Sequence, residues 1–322
     1  MARRAERIGG WRSPKGRQKF LDLYARMCAE RWPEPPTELD VDTPAGSTHI
    51  FHWPGDGAPI VFLHGFGATS LMWCPYVAGL RGHALYLVDS VGDAGRSVQR
   101  SPIRDGSDLA VWLDDVLGGL NIESAHLVGS SYGGWQALNQ AIRSPRRVAS
   151  ITLLDPAALA KLSVRFWLWS AVCGVAMLLP ARLRRRAARA LRQSTLNDKE
   201  FLRLARYGYT RHRYRLPMFP VLTDAELQSI SVPTLLVLGG KSEGHRAEAV
   251  RTRAEAHIPN LIVDVIPDAG HSLPVDHAQA VTERVHAYLQ DTSARRSSSH
   301  LGVRPPRRPK SRAREPRDGL PD

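Results

Sequence analysis

The stretch Ala125-His-Leu-Val-Gly129-Ser130-Ser131-Tyr132-Gly133-Gly134 decides how this chain is read. Its first half, AHLVG, is apolar and β-type. The sequence from Tyr132, YGGWQALNQAIR, has helical spacing. Between them lies a G-x-S-x-G pattern, in which only Ser131 is flanked by glycines two residues before and two after. A serine held on a sharp strand-to-helix turn is exposed for attack, and the glycines let neighbouring backbone approach where a Cβ would clash. Ser131 is therefore the expected nucleophile, with the N–H of Tyr132 as one donor to a developing oxyanion.

Working outward, further β-type runs occupy residues 48–53, 60–64, 84–89, 151–155, 234–239 and 261–267. Helix-length segments at 107–119, 132–143 and 246–257 separate several of them. Runs such as LYLVD, ITLLD and TLLVLG are apolar throughout, as parallel strands covered on both faces require. The alternation predicts an α/β fold with a mostly parallel central sheet flanked by helices. Ahead of it, Phe20, Leu23, Tyr24, Met27 and Cys28 recur at helical spacing until Pro33, Pro35 and Pro36 stop the pattern, which predicts a docking helix.

From Asp155 to Pro233 there is no strand-like run. The segment opens with FWLWSAVCGVAMLLP (residues 166–180) and continues into ARLRRRAARALRQ. Fifteen helical residues reach about 22 Å, short of the ~30 Å that spans a bilayer. A helical cap with an apolar underside and a cationic outside is the expectation. The organisation read from the sequence is a basic N-terminal extension with its docking helix (1–40), a main domain (41–290, cap about 157–230) and a disordered basic tail (291–322).

The 322 residues, 43% hydrophobic and 23% charged, suit a globular protein with a sizeable core. The net charge of +13 is unevenly placed. Residues 1–19 carry seven Lys/Arg against one acid, residues 181–215 twelve against two, and residues 293–322 nine against three. The rest of the chain is acidic. With no zinc-finger, basic-zipper or RNA-binding pattern, a specific nucleic-acid partner is not indicated. Cys28, Cys74 and Cys173 are odd in number and widely spaced, which suggests a reducing compartment. The basic N-terminus has no apolar run behind it, so a cytoplasmic location is expected over secretion.

Two more motifs complete a chemical pattern. The run Ile60–Leu63 ends in His64-Gly65-Phe66-Gly67, a turn whose Phe66 N–H is the second expected oxyanion donor. After the last strand, Asp268-Ala269-Gly270-His271-Ser272 places His271 on a turn from which it reaches Ser131 as general base. Trp73 and Trp135 flank these motifs and are candidates for the acyl pocket.

With LHGFG, DSVGDAGRS, GSSYGG, LLVLGGKSE and PDAGH in place, residues 16–290 resemble an α/β-hydrolase of the bacterial carboxylesterase-like kind. The resemblance implies a helical cap inserted after the sixth strand and a third catalytic residue, a carboxylate between Ser131 and His271. Members usually carry it where this chain has Ser242. Glu243, one residue on, is the first candidate, and Asp155 is the alternative because some members take their acid from that strand end. The loop Asp89–Ser97 is expected to be structural. The implied activity is that of a serine hydrolase cleaving a hydrophobic carboxylic ester, or a thioester, with no metal or organic cofactor. Lactone opening, C–C hydrolysis and cofactor-free haloperoxidation would use the same serine and histidine. A weakly active or non-catalytic binding protein is the other reading, motivated by Ser242. The basic cap and tails leave room for a weak contact with an anionic membrane or an acyl carrier.

Overall fold

The computed structural model describes residues 8–300, with side chains through Thr292. The chain divides into one unit ending at His286 and a second beginning at Ala287. The first unit is built on eight long strands: β1 (Thr37–Thr43), β2 (Gly46–Trp53), β3 (Gly57–Leu63), β4 (His83–Val88), β5 (Ala125–Ser130), β6 (Val148–Leu154), β7 (Thr234–Gly239) and β8 (Leu261–Ile266). Their order across the sheet is β8-β7-β6-β5-β3-β4-β2-β1, and the short strand Val98–Gln99 adds to β2. From β4 through β8 every pairing is parallel, while β2 is antiparallel to both β1 and β4.

Every residue of β5, β6 and β7 is buried, as their mainly apolar sequences lead one to expect, with His126, Ser150 and Thr152 among the polar exceptions. Helices α2 (Gly106–Gly119), α3 (Tyr132–Arg143) and α7 (Ala247–His257) contribute to the same core, through Trp112, Leu138 and Val250. Strand β1 has no counterpart in the sequence-based reading. It is a sheet edge, TELDVDT, with only Val41 buried, so it lacks the apolar run that marks the central strands. It also starts four residues before the main domain was expected to begin at 41.

The docking helix is α1 (Pro14–Arg31), capped by the Ser13 hydroxyl and burying the five apolar residues that define its spacing. Its Tyr24 hydroxyl donates to Asp89 Oδ1 at the end of β4 (2.9 Å). The terminal helix α8 (Ala278–His300) continues beyond 290, and the rest of the expected basic tail lies outside the described residues.

After β6 the chain forms the cap helices α4 (Val164–Ala176), α5 (Ala181–Ala190) and α6 (Lys199–Arg211). They share a small core of Ala176, Ala188, Leu196 and Leu202. The expected apolar underside is only part of what is seen. Just Ala176 of α4 is fully buried, and the outer face of this helix is apolar and exposed. The run is apolar all the way round, so one face is left over when the other turns towards the sheet. Among the described residues no helix is long and apolar enough to cross a membrane.

Candidate active site

The relevant side chains all leave the carboxyl ends of the parallel strands, where ligands meet open α/β sheets. Ser131 follows β5 and begins α3. Its backbone is in the left-handed region (φ 51°, ψ −110°), a conformation that non-glycine residues adopt only when their surroundings impose it. Here the Ser131 N–H donates to Leu154 O and the Ser131 carbonyl accepts from Ala157 N–H. Gly129 and Gly133 make the turn feasible. A Cβ on Gly133 would lie 2.0 Å from Leu63 O, and one on Gly129 would lie 2.2 Å from Gly133 O.

His271 stands between Ser131 and Asp155. Its Nε2 is 3.1 Å from Ser131 Oγ and its Nδ1 is 2.6 Å from Asp155 Oδ2. Asp155 follows β6, is wholly buried and also has a positive φ of 45°. Its carboxylate is well supplied with donors: the Ser242 hydroxyl on Oδ2 (2.6 Å) and the Gly239 N–H on Oδ1 (3.1 Å). His245 Nε2 lies 3.1 Å from Oδ1. Burial by itself would raise the pKa of this carboxyl, but the contacts and charges of His245 and His271 outweigh it and hold the group well below the usual carboxylate range. A depressed folded-state pKa adds stability above about pH 4, and that contribution is lost as pH falls below it.

Glu243, the first expected partner of the imidazole, is not on its ring. Its Oε2 accepts from the backbone N–H of His271 (3.1 Å) and its Oε1 lies 3.4 Å from Arg192 of the cap. The Ser163 hydroxyl at the start of α4 donates to the Glu243 carbonyl (2.6 Å). Glu243 thus ties the histidine turn to the cap, while the shorter Ser242 turns inward to Asp155. The sequence signal for Asp155 is its place at the end of the β-type run ITLLD that follows the nucleophile helix.

On the other side of Ser131, a Cβ on Gly65 would sit 3.6 Å from Ser131 Cβ, so the His64–Gly67 turn passes directly beside the nucleophile. His64 Nδ1 lies 2.9 Å from Gly65 O and its Nε2 accepts from Ser90 N–H (3.1 Å), which fixes the Nδ1–H tautomer and anchors the turn. Gly67 N–H donates to Asp93 Oδ2 (3.0 Å) from the Asp89–Ser97 loop. The Phe66 N–H stands between these anchors. Tyr132 is the first residue of α3, where an N–H has no acceptor within the helix.

Asp93 is buried, and burial raises its pKa to about 6 against the pull of His64 and the Gly67 and Ala94 N–H groups. A carboxyl whose folded-state pKa lies above its unfolded value of about 4 binds a proton more tightly when folded, so stability falls as pH rises from about 4 to about 6. The loss amounts to about 2–3 kcal/mol. Asp93→Asn removes this dependence. The parent's melting temperature should therefore rise more than the variant's between pH 7 and pH 5, and parallel profiles would contradict the assignment.

Trp73 and Trp135, the expected pocket residues, are both fully buried in aromatic packing. Trp73 meets Phe62 and Tyr76, with ring centres 5.1 and 5.2 Å away, and Trp135 meets Tyr132 at 5.1 Å. The aromatic residues that face the imidazole come from the cap. Phe166 and Trp169 of α4 stand edge-on to the His271 ring at 5.2 and 6.0 Å. The sequence marks their segment as the apolar face of a cap that suggests a hydrophobic acyl or alcohol portion, without singling out either residue.

The fold and the chain's length have counterparts among known proteins. The profile of the alpha/beta hydrolase family matches residues 60–284. The chain belongs to that family. As an alpha/beta hydrolase it is similar to carboxylesterase YbfK of Bacillus subtilis (strain 168), 28% identical over 291 residues that cover 84% of this chain and 93% of the relative. It is also similar to the uncharacterized carboxylesterase nap of the same strain, 30% identical over 80% of this chain and 88% of the relative. Among solved structures, naproxen esterase (carboxylesterase NP) from Bacillus subtilis superposes with a TM-score of 0.75 at 28% identity, covering 86% of this chain and 99% of that one.

Proposed function

We propose that this alpha/beta hydrolase is a carboxylesterase that cleaves small-molecule esters through an acyl-enzyme intermediate. The observation that carries the reading is the single imidazole of His271 lying between Ser131 Oγ and the buried Asp155 carboxylate. Asp155 holds the Nδ1–H tautomer and stabilises the imidazolium, so Nε2 is free to take the Ser131 proton. Oγ attacks the ester carbonyl, and the N–H groups of Phe66 and Tyr132 receive the developing oxyanion. His271 returns the proton to the leaving alcohol. Water, deprotonated by the same imidazole, then releases the acid and restores Ser131.

Phe66, Phe166 and Trp169 give the entrance an apolar character, which favours a hydrophobic acyl or alcohol portion; a thioester would be attacked in the same way. Similarity to esterases over most of the chain favours ester bonds over the lactone, C–C and peroxide chemistries that share the serine and histidine. The motive for a non-catalytic reading was the serine at 242. The carboxylate of Asp155 on His271 Nδ1 supports catalysis instead. Three free cysteines agree with a cytoplasmic setting.

p-Nitrophenyl esters of graded acyl length test the activity. Saturable release of p-nitrophenol, fastest for one range of chain lengths, is the expected result. Release no faster than in buffer, from protein with a native circular dichroism spectrum, would contradict it.

A further inference from the structure

One face of the cap is unlike the rest of the surface. Along α4 and just past its end, Val164, Trp167, Leu168, Val172, Val175 and Leu178 are each between 50 and 75% exposed. At about 100° per residue they fall within an arc of roughly 140°, a continuous apolar stripe pointing away from the protein. Solitary exposed apolar residues are ordinary, but a contiguous row on one helix marks a surface that meets something apolar.

The neighbouring helix supplies charge of one sign. Trp169 Nε1 of α4 donates to Leu191 O at the end of α5 (2.9 Å), so the two helices lie side by side. Arg182, Arg185, Arg186 and Arg189 of α5 are exposed, and none has an acidic partner among the described residues. From residue 156 to residue 197 the chain has eight Lys/Arg and no Asp or Glu. An apolar face flanked by unpaired cations has the character of a helix that lies in a membrane interface, its apolar side among acyl chains and its cations among anionic headgroups.

We propose that the outer face of α4, together with the arginines of α5, is a docking surface for an anionic lipid bilayer. Fifteen to twenty-odd ångströms of helix is too short to span but long enough to lie in the headgroup plane. A second copy of the chain is a poor occupant. A two-fold contact through this face would bring two arginine clusters together with no acid in either segment to separate them. The inner side of α4 carries Phe166 and Trp169 against His271, so docking through the outer face would hold lipid against the helix that covers the imidazole. The proposal concerns binding and does not depend on the esterase reading.

Vesicle sedimentation of the full chain tests it, using phosphatidylcholine vesicles with and without phosphatidylglycerol. The parent should sediment with the anionic vesicles at low salt, stay in solution with pure phosphatidylcholine, and detach as salt is raised. Each arginine near the surface is worth about fivefold in binding. Replacing Arg182, Arg185, Arg186 and Arg189 by Gln should therefore weaken binding at least tenfold, and Trp167→Ser with Leu168→Ser should do the same. Unchanged circular dichroism and melting temperature show that both variants are folded. Failure of the parent to bind anionic vesicles at low salt would overturn the proposal. Binding that survives both cap variants would do so too, because it would place the contact in the basic termini. A parent that is dimeric, and becomes monomeric in Trp167→Ser with Leu168→Ser, would assign the face to a second copy. Retention on an acidic acyl carrier without any vesicle binding would assign it to that partner.

Discussion

Ser131→Ala is expected to lower kcat for p-nitrophenyl ester hydrolysis by about 10⁶, to the level set by binding and the oxyanion donors alone. The variant should fold as the parent does. Ser131 Oγ makes its one side-chain contact with His271 Nε2, and the strained turn is fixed by backbone bonds to Leu154 and Ala157 that alanine preserves. Relief of a hydroxyl at a site built for function should leave stability unchanged or slightly higher. Substrate binding should persist, so KM should change far less than kcat. Steady-state kinetics on the purified variant checks both halves. Retention of more than a few per cent of the parent rate would move the nucleophile elsewhere, with the adjacent Ser130 the first place to look.

Asp155→Asn is expected to lower kcat by about 10⁴, whereas Glu243→Gln should cost less than tenfold. The two substitutions separate the carboxylates that sequence alone left in competition. An amide at 155 is nearly isosteric, keeps one oxygen to accept from the Gly239 N–H while its NH2 faces Ser242 and His271 Nδ1, and removes the charge that steadies the imidazolium. It also allows the wrong histidine tautomer, with Nε2 protonated and unable to act as base. Glu243 accepts only from the His271 backbone among the site's groups, and a glutamine oxygen can replace it there. Its remaining link is to Arg192 at 3.4 Å, so Gln loses one partly exposed ion pair of small value. Measuring kcat and KM for both variants at several pH values decides the matter. A loss of 10³ or more in Glu243→Gln, with Asp155→Asn nearly normal, would exchange their roles.

Much of this architecture can be read from the sequence because burial leaves a strong mark there. Strands β5, β6 and β7 are mainly apolar since both of their faces are covered, and α1 buries the five residues whose spacing defines it. The nucleophile turn is legible for a related reason. Glycine is required at 129 and 133 by backbone closer than a Cβ allows, and this constraint appears as fixed letters around Ser131. Strand β1 was missed because an edge strand with one solvated face keeps polar residues.

The acid was left between two residues because a choice between neighbouring carboxylates depends on where a turn aims its side chains. The turn after β7 sends Ser242 inward to Asp155 and Glu243 across to the backbone of His271, and no spacing rule records that. The tryptophans failed differently. Proximity in sequence to a motif suggested a pocket, but Trp73 and Trp135 sit on the buried sides of their elements. For the cap, the sequence showed an apolar helix beside a basic one but not which face turned outward. An evenly apolar helix carries no periodic signal from which to predict it.

The central claim is that Ser131 is activated by an assembled base and oxyanion pocket, and intact-mass analysis after fluorophosphonate treatment tests it most directly. These reagents phosphonylate a serine only where such a pocket exists. The account predicts one adduct on the parent and none on Ser131→Ala. An unmodified parent, folded and exposed to excess reagent, or an adduct that persists on Ser131→Ala, would contradict it.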